Sequence, residues 1–177
     1  MTSNLQPNLQ ALADQVATTF VHRLFPSLRP PAYLACPDNP CSEMCCSAIT
    51  AAAKRKRVKT EIVDLRPDPA TRLNQVTARL RHINDRTEDN NQPWPVLLIL
   101  DGFDLLEGSK NDAPTFPFRS RFQFDREHVW LFMGRDWQRL RRLFGDCRLP
   151  LYQAASNITP EPWRMASKAR PSEIGAR

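Results

Sequence analysis

Glycine is scarce in this chain and missing from its first hundred residues: 5 in 177, the first of them Gly102. A loop that cradles phosphate on its own N–H groups needs glycine where the backbone bends sharply and the ligand oxygens approach. Upstream of Gly102 no such loop is available. No apolar run is long enough to span a membrane, and the N-terminus lacks the basic-then-apolar layout of a secretion signal. The expected location is therefore nuclear in a eukaryote and cytoplasmic otherwise. Without that signal the 5 cysteines are expected as reduced thiols. Four of them are Cys36, Cys41, Cys45 and Cys46, but no Cys-x-x-Cys pair exists and no partner pair follows at zinc-ribbon spacing, so no metal site is expected. The histidines His22, His82 and His128 stand beside no cysteine or acid at a ligand or nucleophile spacing, so a cysteine hydrolase built on Cys41 or Cys147 has no local support.

What the chain does have is proline and positive charge. Its 16 prolines punctuate the connections between apolar segments as stiff loop residues. The formal charge of +6 is concentrated in Lys54, Arg55, Lys56 and Arg57, in the stretch from Arg135 to Arg148, and in the C-terminal tail. A clustered surplus of this kind favours polyanions, most economically nucleic acid.

Leu5, Leu9, Leu12, Val16, Phe20 and Leu24 recur at helical intervals and predict an N-terminal amphipathic helix, docked on the core or on a partner. Strands are expected over Ala32–Cys36, Val58–Leu65, Trp94–Leu100, His128–Met133 and, more faintly, Leu149–Ala154. Helices are expected over Glu43–Lys54 with Ser42 as N-cap, from Asp68 and Pro69 through Ile83, and over Asp136–Phe144. Strand and helix alternate, and the strands are continuously apolar. That pattern predicts an α/β three-layer sandwich with a mostly parallel central sheet. The expected organisation is a helix in 1–26, an α/β domain in 27–158 and a mobile basic tail in 159–177, with Trp163 set apart as an exception.

The strongest strand closes on Leu100-Asp101-Gly102-Phe103-Asp104, a carboxylate at the tip of a buried strand. This resembles the acid that P-loop NTPases use to hold magnesium, in the Asp-Gly-Phe-Asp form of NACHT/STAND signalling ATPases. Phe132-Met133-Gly134-Arg135 sits where that group carries a sensor arginine. The order of elements matches the P-loop core, whose first loop reads Gly-x-x-x-x-Gly-Lys-Ser/Thr. Here that place reads Cys36-Pro37-Asp38-Asn39-Pro40-Cys41-Ser42-Glu43. Cysteine holds both glycine positions, Ser42 the lysine position and Glu43 the hydroxyl position. Pro37 and Pro40 remove donors, and Asp38 and Glu43 place negative charge where triphosphate would lie. Together these losses exceed the ~4 to 8 kcal/mol that millimolar to micromolar binding represents. The chain thus resembles a degenerate, RecA-like or STAND-like P-loop core. It is similar to the ATPase-dead subunits of Rad51-assembly (Shu-type) complexes and to the small P-loop subunit of BREX-type defence systems. Asp101, Asp104, Ser42 and Arg135 form the nucleotide-site remnant that this resemblance implies.

The basic residues supply the remaining candidates. Lys54, Arg55, Lys56 and Arg57 form either a phosphate-contacting surface, an import tag or a helix C-terminus that complements the dipole. Arg139 and Arg142 share the outer face of a helix, spaced to straddle phosphates. Phe116, Phe118, Phe122 and Phe124, interleaved with Arg119 and Arg121, read as a stacking-plus-charge loop for single strands or as an edge strand packing its phenylalanines. The favoured reading is a non-catalytic subunit, without cofactor, of a multiprotein complex acting on DNA in recombination, repair or genome defence. It would bind a protein partner through Leu9, Leu12, Val16 and Phe20, and DNA through its basic side chains. The alternative is a nucleotide-binding or nucleotide-hydrolysing regulatory enzyme whose phosphate contacts are completed by a partner.

Overall fold

A computed structural model describes residues 6–23, 31–84, 96–108, 114–125 and 128–168; side chains are described within 11–20, 31–80, 96–108, 114–125 and 128–165. Five parallel strands form one sheet: β1 (Ala32–Ala35), β2 (Lys59–Asp64), β3 (Val96–Asp101), β4 (His128–Gly134) and β5 (Ser156–Asn157). Their spatial order is β2-β3-β4-β1-β5, so the acid-tipped β3 lies next to β4 and one strand away from β1. Between them run α1 (Gln6–Arg23), α2 (Asn39–Arg55), α3 (Pro69–Asn84), a 3-10 turn over Phe103–Leu106, α4 (Thr115–Phe122), α5 (Trp137–Gly145) and α6 (Glu161–Lys168). The expected α/β architecture with a parallel sheet is what the chain forms.

Alternation along the strands sorts side chains into two cores. Leu34, Leu97, Ile99, Val129, Leu131 and Met133 face α1 and α2. Tyr33, Leu98, Leu100, Trp130 and Phe132 face α3, α4 and α5. Both faces of β1, β3 and β4 are thus buried, which is why these strands read as unbroken apolar runs rather than as alternating ones. The second core is aromatic: Phe103 lies 4.5 Å from Phe132 and 5.7 Å from Phe144, and Tyr33 stacks on Phe144 at 4.9 Å.

Four sequence expectations change on this scaffold. Val16 and Phe20 are buried in the first core with Ile49, Ala52 and Ala53, so α1 spends its apolar stripe on its own domain and these two residues are not open to a partner. Leu12 packs partly against the same cluster, while the side chain of Leu9 lies outside the described residues. The segment 149–154 forms turns instead of a strand, and the short β5 pairs with β1 in its place. The phenylalanine-rich segment is neither a loop nor an edge strand. It folds into α4, and Phe118 and Phe122, four residues apart, stack 5.3 Å from each other inside the core. Only Phe116 and Phe124 remain exposed. Finally, Trp163 anchors α6 on the first core within the stretch read as a mobile tail, and Arg164 lies 5.6 Å over the ring of Trp137. Residues beyond Lys168 lie outside the described residues.

Candidate functional site

Strand β3 delivers Asp101 to the C-terminal edge of the sheet, where it is buried with only 6% of its surface exposed. At this edge a phosphate-binding fold would hold its ligand. Arg135, which follows β4, sets its guanidinium fork on the carboxylate: Nη1 donates to Oδ1, and Nη2 to Oδ2 at 2.9 Å. The Ser42 hydroxyl donates to the same Oδ1 at 3.3 Å. Arg135 Nε also donates to Asn39 Oδ1 at 2.9 Å, which ties the pair to the start of α2. Burial works against the Arg135 charge, but hydrogen-bonded Asp101 outweighs it and raises the guanidinium pKa.

A second arginine closes the arrangement. Arg66, just after β2, donates to Asp64 at 2.8 and 2.9 Å and to Asn39 at 3.4 Å, and its Nη2 lies 3.9 Å from Asp101. Gly102 explains how the chain passes beneath it. Its φ is +83°, and a Cβ there would come within 2.8 Å of Arg66 Cγ. A left-handed residue without a side chain lets Arg66 cross the strand end.

A helix N-terminus such as that of α2 offers unpaired N–H groups to an anion. In α2 that place is filled from within. Asp38, not Ser42, is the N-cap, accepting from Cys41 N–H at 2.8 Å. The helix starts four residues earlier than the sequence suggests because Pro40 falls in its first turn, where a missing N–H costs nothing. Ser42, freed from capping, is 1% exposed and faces Asp101.

Asp104 has a different role from Asp101. It is buried in the 3-10 turn, and its Oδ2 accepts from Asp136 N–H at 3.1 Å. Gly134 is what makes room for it, since a Cβ there would sit 2.7 Å from Asp104 Cγ. Burial pushes the Asp104 carboxyl above its usual value, against the pull of the Asp136 N–H. Asp104 therefore fastens the β3 exit to the β4–α5 turn.

The basic residues divide into two groups. Arg142 donates to Glu107 at 2.7 and 3.2 Å, and Arg139 lies 3.7 Å from Glu107 and 3.5 Å from Asp136. The α5 face is thus partly neutralised by acids that the spacing of the arginines did not reveal. Lys54, Arg55, Lys56 and Arg57 are exposed at the end of α2, and none has an ion-pair partner among the described residues. Arg57 adopts φ +59° to close the helix: its N–H bonds Lys54 O at 2.9 Å while Val58 N–H bonds Ala53 O at 3.0 Å, an exit that usually employs glycine. Arg121 is exposed at the end of α4, and Arg119 lies 5.7 Å over the Phe122 ring. Because helices run antiparallel to the strands they follow, the ends of α2 and α4 both lie at the N-terminal edge of the sheet, opposite Asp101.

Sulfur clusters at the site as well. Cys36 ends the β1 extension, Cys41 lies in the first turn of α2 and Cys45 one turn later. Their three Sγ atoms lie within 4.8 Å of one another, all fully buried. Hydrogen bonds shared among them lower the pKa of Cys41 and raise that of Cys36. Cys46 turns instead to Met133 Sδ, at 3.6 Å. Chain spacing gave no sign of this cluster. The visible signal was a cysteine pair four apart on one helix, preceded by a cysteine at a strand end.

No family model and no curated protein matches the sequence. Among solved structures the chain is similar to the Aeropyrum pernix ORC2 protein in its ADPNP-ADP complexes, with a TM-score of 0.52 at 13% identity over 84% of this chain. The ADP form of that protein gives 0.51 at 14% identity over 83%. DnaA from Aquifex aeolicus, bound to AMPPCP, gives 0.48 at 16% identity. The chain spans 46% of the length of each of these structures. What the likeness establishes is the fold alone: a five-stranded parallel sheet flanked by helices, with Asp101 at the tip of its third strand.

Proposed function

We propose that this chain is a non-catalytic P-loop-fold subunit of a multiprotein assembly that acts on DNA. One observation carries the reading: the chain's own side chains occupy both halves of the nucleotide site. Arg135 takes the carboxylate that would otherwise hold magnesium through water, and Asp38 takes the helix N-terminus that would hold phosphate. For a triphosphate to bind, Arg135 would have to leave Asp101, and Asp38 would repel the ligand it faced.

Contact with DNA falls to the opposite edge of the sheet. Lys54, Arg55, Lys56 and Arg57 from one helix end, with Arg119 and Arg121 from another, present positive charge without neutralising acids among the described residues. Such a rim contacts phosphates without reading sequence, and its affinity falls steeply with salt. We assign a protein partner to the sheet edge at β2, which among the described residues pairs only with β3 and leaves Ile62 49% exposed. Subunits of Shu-type and BREX-type systems remain the resemblance that best fits a silent nucleotide fold used for positioning.

A fluorescent ATP analogue titrated with magnesium tests the central claim. No saturable binding is expected. Saturable, magnesium-dependent binding that disappears in Asp101→Asn would overturn it and establish a nucleotide-binding regulator instead.

A further inference from the structure

The three buried thiols are independent of the DNA reading and ask for their own explanation. Buried cysteines commonly pack as small apolar residues, scattered through a core. Here three of the 5 cysteines converge from two elements onto one point. They converge where a nucleotide-binding relative places glycine, at Cys36 and Cys41, with Cys45 on the same helix face as Cys41. Thiolate–metal bonds near ~2.3 Å hold three sulfurs roughly 4 Å apart. Separations within 4.8 Å therefore need less than about an ångström of contraction, which side-chain rotation supplies.

The donor set selects the ion. No carboxylate or imidazole joins the group among the described residues, so a hard oxygen-seeking cation such as magnesium or calcium has no ligands there. Zinc prefers four ligands in a tetrahedron. With all three cysteines at 0% exposure, among Leu34, Ile49 and Ala53, solvent does not supply the fourth. A soft monovalent ion content with three sulfurs in a plane fits better, and copper(I) is the thiophilic ion of that description. We infer that Cys36, Cys41 and Cys45 form a three-thiolate site for a soft cation of the copper(I) type, set in the place of the lost phosphate loop, each thiol releasing its proton to solvent as its sulfur–metal bond forms. The ion would clamp the end of β1 to the start of α2 and hold the loop in its closed form.

The test uses the full chain, reduced and free of oxygen, titrated with copper(I) against a chromophoric copper(I) chelator. One equivalent should bind, with a thiolate-to-copper charge-transfer band. Cys46→Ser and Cys147→Ser should keep that site, and Cys36→Ser, Cys41→Ser and Cys45→Ser should each lose it while retaining wild-type circular dichroism. Should a core variant fail to fold, alkylation of the unsubstituted protein in mild denaturant decides. Copper(I) should protect three thiols, and mass mapping should place them at residues 36, 41 and 45. Absence of a stoichiometric site, protection of other cysteines, retention by folded Cys41→Ser, or a disulfide among the three in protein freshly isolated under non-reducing conditions would each overturn the proposal.

Discussion

The two ends of the sheet spend charge in opposite ways. At the C-terminal edge charged groups pair within the chain: Asp101 meets Arg135, Asp64 meets Arg66, Asp38 caps α2, and Glu107 gathers Arg139 and Arg142. At the N-terminal edge Lys54, Arg55, Lys56, Arg57 and Arg121 face solvent. A ligand that takes the place of a paired side chain must first break the pair, and that costs the pairing energy. The two edges therefore differ in how their charge is committed: paired within the chain at the C-terminal edge, facing solvent at the N-terminal one.

The largest expected effect lies at the C-terminal edge. Asp101→Ala leaves Arg135 partly buried without its carboxylate and should cost about 3 kcal/mol in denaturant unfolding. Arg135→Ala should cost a similar amount, and the double variant should cost less than the sum. Additive losses would mean that the two groups do not act as a pair, and the contrast between edges would fail. Gly134→Ala comes next, at roughly 2 kcal/mol, because the new methyl overlaps the Asp104 carboxylate. Adding Asp104→Ala should recover part of that loss.

Asp104 also gives the C-terminal edge a pH signature. Its folded pKa is raised, so the folded state binds its proton first. Stability falls as pH climbs from the ordinary aspartate value through the raised one. Asp104→Asn removes that titration, and its stability relative to wild type should improve across the same window. A difference that stays flat with pH would show that Asp104 is not the group titrating.

The N-terminal edge is sharpened by charge reversal. Lys54→Glu, Arg55→Glu and Lys56→Glu together should weaken DNA binding at low salt by about tenfold or more and flatten its salt dependence. Stability should fall by about 1 to 2 kcal/mol, since three carboxylates then sit at the negative end of α2 where cations had complemented it. Equal loss of binding in Arg139→Glu with Arg142→Glu would move the contact to α5. The smallest effect is expected at Arg57→Gly, which relieves a left-handed backbone and should gain about 1 kcal/mol by thermal melting.

Much of this was legible in the chain. The apolar runs of β3 and β4, the alternation of helix and strand, Asp101 at a strand tip and the missing phosphate loop follow from residue type and order, because burial on both faces leaves an unmistakable apolar signature. Arg135 was legible too, from its place after the strand. The α4 segment was not: Phe118 and Phe122 also fit a period of two, and only packing on Trp130 and Phe132 selects the helix. Nor were Arg66, Asn39 and Glu107, which are ordinary polar residues until the sheet order brings β2, α2 and the 3-10 turn to one edge.

Sequence by itself determined that Cys36 to Glu43 carries no glycine and no lysine, since no rearrangement of the chain can supply a residue it lacks. Tertiary structure alone decided what fills the gap. Whether a charge is free or paired, and whether three thiols are scattered or gathered, depends on distances between segments far apart in the chain, and those distances are set by packing.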